Sequence, residues 1–471
     1  MAAPARHADG LRGTRVPGAP EAVAVLAAAL FWEAAGRVLG FAFLLAVVTY
    51  LDRICISAAA PSIMRDLDLN LEQMSLVFSA FTLAYSLFEV PSGWLGDTRG
   101  PRRVLTRIVL WWSAFTMLTG TAAGMRSLLT IRFLFGAGEA GAFPNLLRAF
   151  SGWFPASERG KANGVLFLGS RVGGMLSTPI ALLLITNIGW RASFVVFGGL
   201  GLVWAAAWYA WFRDDPRDHR SVNDAELALI ECEDGPRRAA PAGDGGPRRA
   251  EGEGGTPWPT LLASRNLQAI CAMYFAYGYG LYFYFTWLPT YLTQELGFSA
   301  ISGGLFASLP FLLAGIANVA GGWLTDRLAR SRGLRVARCG LGFAAFLTCA
   351  ALVLGSATAA DPILKATMLA FALGSVDLAL SACWAVCLDV GVAHAGVVTG
   401  FMNTVGNIGG LLAPIVVGYS VTQWGSWTIP FYITAALYAF GAFAWLVIDP
   451  TTEIGAVSRL SSNFEFPNFE S

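Results

Sequence analysis

Two stretches, GWLGDTRGPRR at 93–103 and GGWLTDRLARSRG at 321–333, share a Gly-Trp-Leu step, an aspartate and a run of arginines. Each sits between two apolar runs, and the two lie in equivalent places on either side of a polar segment, Arg213 to Arg265. A second match repeats the pattern: RGKANGVLFLGSRVGG at 159–174 beside AGVVTGFMNTVGNIGG at 395–410. Gly160, Gly164, Gly173 and Gly174 fall on Gly396, Gly400, Gly409 and Gly410 at one constant offset. Glycines so spaced let helices approach closely in lipid. The chain therefore reads as two similar halves, the organisation of an alternating-access transporter with its site between them near the membrane midplane.

Composition agrees. Of 471 residues 55% are hydrophobic and 13% charged, where a soluble domain carries about 25% charge. Twelve apolar runs of membrane-spanning length occur near 38–63, 73–95, 103–124, 127–148, 161–187, 190–212, 266–292, 302–325, 337–357, 363–388, 396–421 and 426–448. The fold class is an all-α membrane protein of twelve transmembrane helices in two pseudo-symmetric six-helix halves. Loops after spans 2, 4 and 8 carry Arg99, Arg102, Arg103, Arg159, Lys161, Arg327, Arg330, Arg332 and Arg335. Those after spans 1, 3 and 9 carry only Arg65, Arg126 and Lys365, with acids nearby. The basic loops stay cytoplasmic, which puts both termini inside.

Five regions follow: a polar, interfacial extension at 1–36; a six-helix half at 37–213; a cytoplasmic linker at 214–264; a second half at 265–448; and a tail at 449–471. The Ala-rich stretch from Ala22 to Ala35 is too short to span and holds Glu33, so an interfacial helix is expected, with a cleaved leader as the alternative. In the linker, Asn223 or Ser221 is placed to cap a short helix through Glu226 or Asp224. The Gly/Pro/Arg/Glu sequence beyond them cannot bury a core. A net charge of +1 gives no electrostatic footprint for nucleic acid. The seven cysteines include no CxxC, and Cys383 and Cys387 read as small packing residues, so no metal is expected.

The charges inside the apolar runs carry the functional signal. At 1.5 Å per residue, Asp52 lies roughly 18 Å below the outer surface, Glu139 about 20 Å, Tyr85 about 18 Å and Arg132 about 9 Å. Arg171 sits about 16 Å from the inner end of its span, and Asp377 about 22 Å into its own. Apart from Arg132, these groups share the middle of a ~30 Å core. In lipid, each charge costs about 2.5–3.5 kcal/mol, so Asp52, Arg53, Glu139, Arg171 and Asp377 together cost on the order of 12–17 kcal/mol. They must face one another or a wet cavity. One reading is a purely structural ion pair, though such pairs seldom repay their desolvation. In the other, an anionic substrate competes with Glu139 or Asp52 for Arg53, and the released carboxylate takes a proton. Of the aromatics crowding span 7, Tyr282, Tyr284 and Trp287 lie deep enough for one or two of them to stack on or hydrogen-bond a substrate; interface anchoring or core packing is the alternative for each. Asp389 is assigned to gating or structure.

GWLGDTRGPRR resembles the cytoplasmic signature of the major facilitator superfamily. That resemblance implies a latch at the cytoplasmic side, with Asp97, Arg99, Arg102 and Arg103 as gating candidates and Asp326 in the echo. More closely, YLDRICISAAAPSI, AFTLAYSLFEVPSGWLGDTRGPRR, RFLFGAGEAGAFPN, VDLALSACWAVCLDVG and GFMNTVGNIGG resemble the anion:cation symporter branch, over roughly residues 38–448 apart from the linker. The branch includes bacterial hexuronate, glucarate, galactonate and phthalate permeases. The resemblance implies proton coupling at Asp52 and Glu139 with Arg132 beside them, and Arg53 binding a substrate carboxylate. It places Tyr85, Ser381, Trp384, Asn403 and Asn407 on the pocket. Cys383 stands where a galactonate permease has a hydroxyl residue. Arg171 stands where several members have a neutral polar residue, so it is expected either to add a second anion contact, favouring a diacid or a strongly charged substrate, or to pack helices.

The expected function is proton-coupled import of a small organic anion, a sugar acid or another carboxylate, by alternating access. The proton is the coupling ion and no other cofactor is expected. The protein is expected to be a monomer, multi-pass in the inner (plasma) membrane, with the anion and the bilayer as its partners. Proton-antiport drug efflux is the alternative within transport. It is disfavoured because span 5 reads LGSRVGG and lacks a Gly-Pro-x-x-Gly-Gly bend. A transport-dead sensor would be expected to have lost the buried charges. No phosphate loop or other catalytic motif points to an enzyme.

Overall fold

The computed structural model describes residues 33–155, 158–223, 226–228, 230, 258–391 and 394–454. All regular structure among them is helical. The main helices are α1 (Glu33–Leu67), α2 (Leu71–Arg99), α3 (Pro101–Thr119), α4 (Met125–Glu139), α5 (Ala142–Trp153) and α6 (Arg159–Trp211). After the linker come α7 (Arg265–Thr286), α8 (Ala300–Arg332), α9 (Leu341–Thr358), α10 (Pro362–Asp377), α11 (Leu380–Gly391), α12 (Ala395–Trp424) and α13 (Thr428–Val447). Residues 1–32, most of the linker and the tail from 455 onward lie outside the described residues, and with them most of the interfacial helix expected at 22–35, whose last residues, Glu33, Ala34 and Ala35, begin α1.

Among the described residues, eight helices are long and apolar enough to cross a membrane. The difference from twelve apolar runs has local causes. α6 unites two expected spans, because Gly189 (φ 78°, ψ 160°) turns the chain sharply inside it. Gly169 and Gly173 on its first arm lie against Phe43 and Val47 of α1, whereas Trp204 on the second reaches back to Phe41, so the arms are antiparallel. α3 opens with Arg102, Arg103 and Arg107, and α7 carries five tyrosines, which lowers their hydropathy. The run at 127–148 is cut in two at Ala140 and Gly141.

The repeat survives in the packing. Gly173 of α6 abuts the Val47 carbonyl of α1, and its repeat mate Gly409 of α12 abuts the Phe275 carbonyl of α7, each too close to admit a side chain. Gly160, Gly164, Gly396 and Gly400 meet nothing within 4 Å, so half of the aligned glycines serve no close approach. Two helix breaks are also related. α4 ends on Glu139, and Gly141 (φ 89°) beyond it nests against Ser92 of α2. α10 ends on Asp377, and Leu378 beyond it lies against Gly321 of α8, which occupies the position of Ser92 in the other repeat. Both breaks leave a buried acid at the end of a helix.

The first and second parts of the chain meet most tightly at one end. There Ser79 Oγ donates to the Leu411 carbonyl (2.8 Å), Ser308 Oγ to the Met175 carbonyl (2.6 Å) and Gln423 Nε2 to Glu72 (2.9 Å). The rings of Phe78 and Trp287 add an edge contact at 5.2 Å. Below this seal lies a cavity of about 390 Å³, within the range of small-molecule sites. Leu147 and Phe167, 43% and 40% exposed on its wall, mark the side to which it opens.

Candidate functional site

α1 presents Arg53 to the cavity, and Glu139 stands behind it. Arg53 Nε donates to Glu139 Oε1; the arginine side chain is 11% exposed and the glutamate fully buried. The guanidinium lies 4.6 Å above the Tyr85 ring and 5.4 Å from the rings of Tyr50 and Phe81. Aromatic faces hold a cation there without neutralising it, which leaves its fork free for a second carboxylate. Asp52, one residue earlier, is off the cavity wall and lies near Glu139, Arg132 and Trp112. Neither of its carboxylate oxygens has a hydrogen-bond partner among the described residues, nor do Arg53 Nη2, Glu139 Oε2 and Arg132 Nε and Nη1. Buried charge left this under-satisfied is costly to a structure and is found where protons or ligands exchange.

Arg132 was expected to stand apart in depth, and the structure brings it in. It lies two turns before Glu139 on one face of α4, and its guanidinium sits 5.5 Å from the same Phe81 ring that Arg53 flanks. Its guanidinium also lies 4.1 Å from the Phe135 ring, one turn before Glu139. A second void, of about 20 Å³, lies between Arg53, Arg132 and Tyr282, enough for about one water.

Tyr85, Tyr282, Trp384, Asn403 and Asn407 all line the main cavity, as expected for the pocket. Tyr274 and Tyr277 join them, whereas Tyr284 is turned away and donates to the Leu369 carbonyl. Ser381 is off the wall, its hydroxyl donating at 3.4 Å to the Asn318 carbonyl of α8. Cys383 and Cys387 contact the sulfurs of Met273 and Met402, a packing role, and no metal-binding cluster occurs among the described residues.

Arg171 is also off the cavity wall. Its Nη2 pairs with Asp377 Oδ2 at 2.6 Å and donates to the Tyr277 hydroxyl at 3.2 Å, and that hydroxyl donates to Asp377 Oδ1 at 2.9 Å. The second anion contact expected of Arg171 is thereby taken by a carboxylate of the protein. The triad joins α6, in the first part of the chain, to α7 and α10 in the second. Glu89 completes the set. It lies one turn beyond Tyr85 on the wall and accepts from Asn403 Nδ2 at 3.3 and 3.4 Å. Sequence reasoning passed over it, although it lies inside the expected span 73–95 and its four-residue spacing from Tyr85 places both on one face of α2.

Among the described residues, no hydrogen bond or ion pair of a motif arginine bridges the two parts of the chain. The Arg102 amide donates to Asp214 at 2.7 Å and its guanidinium to the Tyr209 carbonyl, all within the first part. Burial holds the Asp214 carboxyl above its ordinary value, against the pull of Arg102. Arg99, Arg103 and Asp326 are exposed, and the side chain of Asp97 lies outside the described residues. In the second repeat the ion pair is Arg338 with Asp389, at 2.9 Å. Asn223 Oδ1 does cap the linker helix, accepting from the Glu226 amide at 2.8 Å.

Such a cavity between two repeats, with charges at its base, is a transporter's geometry, and sequence comparison gives the family. The profile of the Major Facilitator Superfamily matches residues 42–414. The chain belongs to that superfamily. It is an integral membrane protein of a transporter family, not an enzyme. Among curated superfamily members it is 34% identical to a probable sulfoacetate transporter of Cupriavidus necator, over 88% of this chain and 93% of that one. It is 31% identical to the hexuronate transporter of Bacillus subtilis, over 86% and 92%, and 31% to the D-galactonate transporter of Escherichia coli, over 89% and 95%. Among solved superfamily structures, a bacterial homologue of the human lysosomal transporter Spinster, inward-facing and occupied, superposes with a TM-score of 0.70 at 18% identity. The superposition covers 88% of this chain and 96% of that one, and at that identity it speaks to the fold alone.

Proposed function

We propose that this protein imports a small organic anion together with protons. The observation that carries the reading is the order of groups along one line: cavity, Arg53, Glu139. Curated relatives with hexuronate, galactonate and sulfoacetate in their names support an anion as the cargo. A substrate carboxylate entering the cavity meets the open side of the Arg53 fork and competes with Glu139 for it. Glu139, stripped of its cation in a dry site, binds a proton in place of the lost partner. Asp52 gives that proton a second carboxylate on which to rest, with Arg132 beside both acids. Tyr85, Tyr282, Trp384, Asn403 and Asn407 contact the body of the substrate. On release, Glu139 returns to Arg53 and the proton leaves with the anion.

The architecture proposed is twelve spans in two six-helix halves, 37–213 and 265–448, joined by 214–264. The arginine-rich loops place both termini in the cytoplasm. With that orientation the sealed end faces outward and the cavity opens inward. Asp97, Arg99, Arg102, Arg103 and Asp326 then lie at the open mouth, where a latch would engage on closing. The setting proposed is a monomer in the inner membrane with the proton as sole coupling ion. Glu139→Gln tests the coupling: in proteoliposomes it is expected to retain substrate exchange while losing accumulation driven by a pH gradient. Accumulation equal to that of the unaltered protein would remove Glu139 from the mechanism.

A further inference from the structure

We propose, resting on the reading above, that Glu89 determines specificity: it accepts hydroxyl groups from the far end of the substrate and excludes a second negative charge there. The cargo class is then a hydroxylated acid carrying one anionic group, not a diacid. Among the described residues on the cavity wall, Arg53 is the single cation and Glu89 the single acid. Tyr85 stacks on Arg53, and Glu89 follows one helical turn, about 6 Å, further toward the mouth. An extended six-carbon acid with its carboxylate on Arg53 reaches that level with its other end. A carboxylate is an acceptor only, with about four lone-pair sites. Asn403 engages Glu89 weakly, at 3.3 and 3.4 Å, which leaves capacity for hydroxyl donors from the cavity. Asn407, one turn from Asn403, continues the polar wall.

A second carboxylate or sulfonate at this level brings no donor to Glu89 and finds no cation. The buried Arg132 and Arg171 both lie off the wall, and Arg171 is held by Asp377. Like charges placed together in a poorly solvated site are the usual means by which a binding site rejects a near-isostere.

The experiment compares gluconate with glucarate, and galactonate with galactarate, pairs that differ only in a terminal hydroxymethyl or carboxylate. Binding is read from ligand-dependent thermal stabilisation of the purified protein and of Glu89→Gln. The unaltered protein is expected to bind the aldonate of each pair more tightly. Glu89→Gln, with an unchanged melting temperature in the absence of ligand, is expected to shift the ratio toward the aldarate by about tenfold or more. Equal or tighter aldarate binding by the unaltered protein overturns the assignment, as does an unchanged ratio in the variant or the binding of neither pair. Arg53→Ala separates the two levels. Loss of proton-driven anion uptake in that variant, with no ratio change in Glu89→Gln, removes only the role of Glu89. Uptake that survives Arg53→Ala removes the reading on which it rests.

Discussion

Arg53→Ala is expected to abolish anion binding while leaving a folded protein. Arg53 touches both the cavity and Glu139, so truncation removes the charge-assisted contact to the substrate. Removing one partner of a buried, hydrogen-bonded charge pair costs about 2–5 kcal/mol, roughly thirtyfold to several thousandfold in affinity. Arg53→Lys is expected to recover only part of this, since an ammonium keeps the charge but not the planar fork that matches a carboxylate. The check is ligand-induced thermal stabilisation alongside uptake. Binding by Arg53→Ala within threefold of the unaltered protein would be incompatible with the proposed site.

Arg171→Met is expected to be strongly destabilising. Asp377 is fully buried, and Arg171 is its cation. Breaking such a pair from one side leaves an uncompensated carboxylate and costs about 3–5 kcal/mol. Tyr277 donates to Asp377 Oδ1 and offsets part of that. Arg171→Met with Asp377→Asn is expected to regain most of the lost stability, because replacing both charges removes the desolvation penalty as well as the attraction. Melting temperatures of the two single variants and the double variant form the cycle. Strictly additive losses would mean that the two residues do not act as a pair. The pair also ties α6 to α7 and α10 across the two parts of the chain, so the double variant is expected to alter the balance between open and closed forms.

The sequence made the base of the site legible because burying charge in lipid is so costly that ionic residues at one depth must meet. That reasoning brought Asp52, Arg53 and Glu139 together, and the structure pairs Arg53 with Glu139. It did not reveal the partner of Arg171. Depth along a helix is readable from a count of residues, but the neighbour across an interface depends on how two helices rotate against each other, which no periodicity in a uniformly apolar run records. Arg132 reads as shallower than the rest yet on one face with Glu139, and the structure bears out that shared face, with Arg132 beside the Phe81 ring that Arg53 also flanks. The breaks after Glu139 and Asp377 were hidden too. One rests on a single positive-φ glycine and the other on the close approach of Gly321 to Leu378, neither of which interrupts the apolar run. The glycine repeat was half informative: Gly173 and Gly409 mark close approaches, while Gly160 and Gly396 were equally regular and pack against nothing.

Proton uptake on substrate binding tests the central claim most directly. It is measured on purified protein as the dependence of the calorimetric binding heat on the ionisation enthalpy of the buffer. The unaltered protein is expected to take up a proton as the anion binds, and Glu139→Gln to bind the same anion with that uptake abolished or reduced to the share carried by Asp52. Identical proton uptake in the two proteins would contradict the exchange of Glu139 for substrate on Arg53.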